Sequence, residues 1–134
     1  EMVPITANTI ATAIQIGNPV SWRKSLRGIA HFNGVVTEVT DQEILDAKAH
    51  VDRSGIGAEP ASCATVAGAK KLVAAGVIPA DAHVVGVLTG NLLKDPDVVV
   101  GYHSGTLKGF DTRFANPPVK TDGTLASVLK AMKG

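Results

Sequence analysis

The chain has 134 residues, with 13 basic and 12 acidic side chains, a net charge of +1 and one cysteine. That length supports one domain with a real core, while the even charge balance offers no basic footprint for a nucleic acid. No apolar run reaches the ~18 residues needed to span a membrane, the amino end shows no signal-peptide pattern, and Cys63 has no partner for a disulfide, so a reducing compartment, the cytoplasm, is expected.

Residues 1–8 read as an entry loop. Thr9 to Ile16 sets Ile10, Ala13 and Ile14 on one helical face, although its β-branched content also admits a strand. Gly17-Asn18-Pro19 ends that element, because the residue before a proline is pushed out of the α region. Ser21 is expected to cap a helix whose apolar face is Trp22, Leu26, Ile29 and Ala30 and which stops at Asn33-Gly34. Arg23, Lys24 and Arg27 form its solvated side. Val35 to Val39 predicts a short strand. Thr40-Asp41-Gln42-Glu43 predicts a capping box, followed by a helix that buries Ile44, Ala47 and Val51 and ends at Ser54-Gly55. Asp41, Glu43 and Asp46 lie in its first turns, where the helix dipole favours them, and are read as structural.

Ile56-Gly57-Ala58 leads into Glu59-Pro60-Ala61-Ser62, with Pro60 suited to the first helical position. Cys63, Val66, Ala69 and Val73 then recur at helical steps, and Ala61, Ala64, Ala67 and Gly68 keep the helix thin enough to approach a sheet or a ligand closely. Gly76 is its expected stop. After a loop, Val84 to Leu88 is apolar without alternation, the pattern of a strand buried on both faces of a parallel sheet. It ends at Thr89-Gly90-Asn91. Ligands gather at the carboxyl ends of such strands, Thr89 has a hydroxyl that donates or accepts, and Gly90 lets a flat ligand approach the backbone. Beyond Pro96, Val98 to Val100 is expected as a short edge strand, residues 101–118 as a loop pinned by Phe110 and Phe114, and Leu125, Val128, Leu129 and Met132 as the apolar face of a final helix. The rhythm predicts an α/β fold, a mostly parallel sheet with helices on both faces, in a single segment over residues 1–134 with residues 101–134 as a tail.

Several chemistries find no support in the sequence. His31, His50, His83 and His103 are scattered, so no metal ligand set is expected. A Gly-x-Ser-x-Gly elbow, a dinucleotide fingerprint and a P-loop pattern are all absent. Cys63 is either a reactive thiol at a helix start or a core residue. Two polar clusters remain at the sheet border, Glu59 with Ser62 and Thr89 with Asn91.

Taken together, Ala11-Thr12-Ala13-Ile14-Gln15-Ile16-Gly17-Asn18-Pro19 with Ser21-Trp22, Glu59-Pro60-Ala61-Ser62, and Leu88-Thr89-Gly90-Asn91 through Lys94-Asp95-Pro96 resemble the threonine synthase family. Their order, with Val39-Thr40-Asp41 between the first two, is similar to the carboxyl-terminal third of those enzymes over about residues 6 to 97. The resemblance implies part of the large domain of a tryptophan synthase β-like (fold-type II) enzyme, with pyridoxal phosphate as cofactor and conversion of O-phosphohomoserine and water to threonine and phosphate. It implies that Thr89 bonds the pyridine nitrogen of the cofactor, that Gly90, Glu59 and Ser62 lie near the ring, and that Gly17 and Asn18 border the pocket. Asn91 stands where the family often has His and is given no role.

Enzymes of this kind hold the cofactor through a lysine in a Lys-Asp-Arg motif and bind its phosphate in a Gly-Asn-rich loop. Neither motif occurs here, so no catalytic residue is expected in this chain, and cofactor retention by the chain alone is not expected. With Glu1 first, the expectation is a carboxyl-terminal segment that works with an amino-terminal remainder in a homo-oligomer. Two alternatives stay open: a free-standing α/β binding or interaction module, and a different pyridoxal-phosphate lyase of the same class, against which the run from Ile16 to Trp22 argues.

Overall fold

Two helices, α2 (Asp41–Arg53) and α3 (Pro60–Ala74), form the centre of the molecule in a computed structural model that describes residues 2–133. The predicted capping box starts α2: the Thr40 N–H donates to Glu43 Oε2 at 2.7 Å, and the Glu43 N–H donates to Thr40 Oγ1 at 3.2 Å. Pro60 occupies the start of α3, where the missing N–H costs nothing. Small side chains let the two helices approach closely, and Ile44, Ala47, Val51, Cys63 and Ala67 share one core with Ala11 and Ala58. The buried side of α2 is the predicted one. On α3 the buried set is Pro60, Ser62, Cys63, Ala67 and Gly68, so the burial stripe is turned from the predicted face and Val73 is exposed.

A second core lies on the other side of α2. Leu45 and Ala49 meet Tyr102, with Val98, Leu107, Phe110 and Phe114 packed around them. Tyr102 belongs to α4 (Pro96–His103). The expected edge strand at residues 98–100 is therefore helical. Pro96 at the first position and Asp97 in the first turn are helix-start signals, and they outweigh the strand preference of three consecutive valines. Residues 104–116 then run as a strap along α2, with Phe110 and Phe114 pinning it as expected.

The predicted parallel sheet is not formed among the described residues. Residues 35–39 and 84–88 carry no regular secondary structure, and the β pairing among the described residues is a single antiparallel bridge between Ala58 and Asn91, outside both segments. A parallel strand gains its hydrogen bonds only from neighbouring strands, and among the described residues no main-chain hydrogen bond joins residues 84–88 to another segment. Each segment still packs one side inward, Val39 and Leu88 against the first core, and the Lys71 ammonium holds the Glu38 carbonyl at 2.7 Å. Their other side is bare: Val36 is 71% and Val85 90% exposed.

The outer elements are similarly uncovered. Residues 9–16 form only a 3-10 turn at Thr12–Ile14, with Ala11 rather than Ile14 buried. The helix α1 (Trp22–His31) ends at Asn33, whose φ of 49° is the left-handed stop expected there, but the Ser21 side chain makes no cap bond and no residue of α1 is buried. The last helix, α5 (Leu125–Met132), has its predicted apolar stripe in solvent, Leu125 and Met132 both at three-quarters exposure or more. Total exposed area is 9643 Å², against roughly 6,600 Å² for a folded monomer of this mass. No described helix is long and apolar enough to cross a membrane.

Candidate functional site

The Ala58–Asn91 bridge places the start of α3 beside the turn that follows residue 88. Two main-chain bonds secure the pairing: the Glu59 N–H donates to the Gly90 carbonyl at 2.9 Å, and the Leu92 N–H to the Gly57 carbonyl at 3.3 Å. Across this junction the Gly90 N–H donates to Ser62 Oγ at 2.9 Å. Ser62 Oγ lies 3.4 Å from Thr89 Oγ1 and 3.5 Å from Glu59 Oε1. Glu59 and Ser62 are buried while Thr89 is exposed. The structure thus brings Glu59, Ser62, Thr89 and Gly90 together at one surface point, although 27 residues separate Ser62 from Thr89.

The hydroxyl protons can be followed. Ser62 Oγ accepts from Gly90 and so keeps its own proton for Thr89 or Glu59. When it donates to Thr89, the Thr89 proton is left for an acceptor outside the protein. Gly90 is required by packing: a Cβ there would sit 1.8 Å from Glu59 Oε1. Lys94 Nζ, largely in solvent, lies 3.8 Å from the same oxygen. Asn91 turns back on its own chain, its Oδ1 accepting the Leu93 N–H at 3.0 Å and capping the 3-10 turn Leu92–Lys94.

Gly17 and Asn18 are placed differently. The Ile5 N–H donates to the Gly17 carbonyl at 3.0 Å, and a Cβ on Gly17 would lie 1.7 Å from the Ile5 carbonyl oxygen, so this glycine serves a close chain crossing. Among the described residues no hydrogen bond or ion pair links Gly17 or Asn18 to the Ser62 cluster. Cys63 is core. It is fully buried, and burial pushes its thiol up to about 11, against the opposing pull of Lys48, which leaves it protonated rather than reactive. Among the described residues no group of three or more His, Cys, Asp or Glu side chains is placed to hold a metal.

A second polar set was not anticipated. Asp46 of α2 binds Arg113 at 2.8 Å and receives the Tyr102 hydroxyl at 3.5 Å; the hydrogen bond to Asp46 raises the Arg113 guanidinium above its usual value. Burial likewise raises the Tyr102 phenol. Gln42 pairs both amide atoms with the main chain of Asp111, each at 2.9 Å. The Lys48–Asp52 spacing of four residues was a visible signal for one pair. Nothing local marked His103 or Arg113, because their partners lie 51 and 67 residues away.

Residues 1–90 match the family model described as pyridoxal-phosphate dependent enzyme. The chain belongs to that family, whose cofactor is pyridoxal phosphate. Among curated proteins it is 52% identical over 93 residues to the threonine synthase of Halalkalibacterium halodurans, a match covering 69% of this chain and 26% of that one. It is 54% identical over 93 residues to the threonine synthase of Methanosarcina acetivorans, covering 69% and 23% respectively. Threonine synthase 2, chloroplastic, of Arabidopsis thaliana matches at 38% over 131 residues, 97% of this chain and 25% of its own length, and so takes in the tail. The chain spans about a quarter of the length of these relatives.

Proposed function

We propose that this chain supplies one wall of the cofactor site of a threonine synthase, acting with an amino-terminal remainder to convert O-phosphohomoserine and water to threonine and phosphate in the cytoplasm. Similarity to three threonine synthases motivates the reaction. The observation that carries the site is the Ser62–Gly90–Thr89 junction, in which a buried serine fixes an exposed threonine at the end of the 84–88 segment. Pyridoxal phosphate, when bound, supplies an electron sink for the reacting carbons of the substrate. The residues present suit its ring nitrogen: the Thr89 hydroxyl has a proton to give, and a neutral donor bonds a pyridine nitrogen without protonating it. Gly90 keeps the backbone bare beside that point. Ser62 positions Thr89, and Glu59 is the neighbouring buried carboxylate.

In the same reading, residues 35–39 and 84–88 are strands of a mostly parallel sheet completed by the remainder of the enzyme. Their bare valine sides and the roughly 3,000 Å² of surface beyond that of an ordinary monomer support it, since parallel strands are covered on both faces. A free-standing module would be expected to cover these valines itself.

The test mixes the chain with the polypeptide encoded upstream and follows the pyridoxal-phosphate absorbance band. The band is expected in the mixture and expected to shift in Thr89→Val. A band identical in the variant would remove Thr89 from the ring, and no band with any upstream partner would overturn the enzyme reading.

A further inference from the structure

On α2, away from the Ser62 junction, lies a row of polar groups that the proposed reaction does not use. Lys48 is buried at 2% exposure and pairs with Asp52 one turn later. The second Asp52 oxygen lies 3.0 Å from Nε2 of His103, itself buried at the end of α4. On the far side of the ring, the main-chain N–H of Asn116 donates to His103 Nδ1 at 2.9 Å. An Nδ1 that accepts carries no proton, so the ring's single proton sits on Nε2 and is donated to Asp52. Both ring nitrogens are therefore committed, one to the helix layer and one to the point where the strap ends.

We propose that Lys48, Asp52, His103 and the Asn116 N–H form a proton-operated latch that sets where the chain leaves the helix layer. With a neutral ring the strap is closed at Asn116, and the residues beyond it depart from a fixed point. A proton on Nδ1 replaces the acceptor by a second donor facing the Asn116 N–H. That bond is lost and the exit of residues 117–133 is freed, while Asp52 keeps α4 fastened through Nε2. Asp52 serves the Lys48 ammonium with its other oxygen. The other groups around the row are Cys63 of α3, which stays neutral in the field of Lys48 and Asp52, Arg113 and Asp111 of the strap, which pair with Asp46 and with each other, and Tyr102, edge-on to His103 at 5.3 Å. The freed segment carries α5, which has no buried residue of its own, so its position depends on that exit.

Amide hydrogen exchange on the full chain, normalised for intrinsic rates, tests the latch between roughly pH 8 and roughly pH 5, the interval in which histidines change charge. The Asn116 amide is expected to lose about tenfold protection on acidification, the scale of one main-chain hydrogen bond, while the amide of Ala49 within α2 keeps its own. In His103→Gln the pH difference at Asn116 is expected to vanish. Equal Asn116 protection at both pH values, or a pH difference that persists in the variant, overturns the latch. Should the variant not fold, the imidazole nitrogen resonances of the unaltered chain decide: protonation of Nδ1 must track the loss at Asn116, and a loss without it contradicts the mechanism. Neither result depends on cofactor binding.

Discussion

At Ser62 a single oxygen accepts the Gly90 N–H in a buried setting and faces Thr89. Removing it in Ser62→Ala leaves a buried donor without a partner, a cost of about 1–3 kcal/mol. Gly90→Ala instead forces a Cβ into the Glu59 carboxylate and is expected to cost about 1–3 kcal/mol through overpacking. Thr89→Val alters only an exposed hydroxyl and is expected to stay within about 0.5 kcal/mol of the unaltered chain. Urea unfolding of the three variants checks this order, and a Thr89→Val chain as unstable as Ser62→Ala would make Thr89 a structural residue. Glu59, Ser62, Thr89 and Gly90 were all legible in the sequence, because a proline-started helix and an apolar run ending in Thr-Gly are local signals. The Gly90–Glu59 contact was not, since it exists only once the Ala58–Asn91 bridge sets two distant turns side by side.

Among the elements, α2 follows most directly from its sequence. Its capping box holds the Glu43 carboxyl below the usual range, chiefly through the Thr40 main-chain N–H. A carboxyl lowered in the folded state stabilises the fold fully above its ordinary value of 4.5 and loses that contribution as the pH falls through the lowered value. Glu43→Gln is thus expected to weaken the acid dependence of α2 helicity, read by far-UV circular dichroism; an unchanged acid transition would deny the carboxylate this part. Thr40→Ala should cost about 0.5–2 kcal/mol at neutral pH. Two elements differ from their local propensity, the first for a local reason and the second for a non-local one. Three valines at 98–100 favour a strand on propensity, but Pro96 and Asp97 start a helix whose Tyr102 docks on Leu45 and Ala49. The segments 35–39 and 84–88 have the composition of buried strands, yet a strand needs neighbours, and no other segment pairs with them among the described residues.

Taken whole, the molecule has a helical interior and an exterior rich in exposed apolar side chains. Its 9643 Å² of exposed surface exceeds the roughly 6,600 Å² of a monomer this size, and the excess includes the valines of residues 84–88 and the apolar stripe of α5. The chain matches about a quarter of each threonine synthase, and under the proposed function the remaining three-quarters would cover that surface. The most direct test exchanges the matched 93-residue segment of the Halalkalibacterium halodurans threonine synthase for that of this chain and measures phosphate release from O-phosphohomoserine. The exchanged enzyme is expected to bind pyridoxal phosphate and release phosphate, with Thr89→Val lowering the rate by about tenfold, equivalent to one hydrogen bond of roughly 1.4 kcal/mol. A folded exchange protein that binds no cofactor, or binds it and releases no phosphate, would contradict the proposed role.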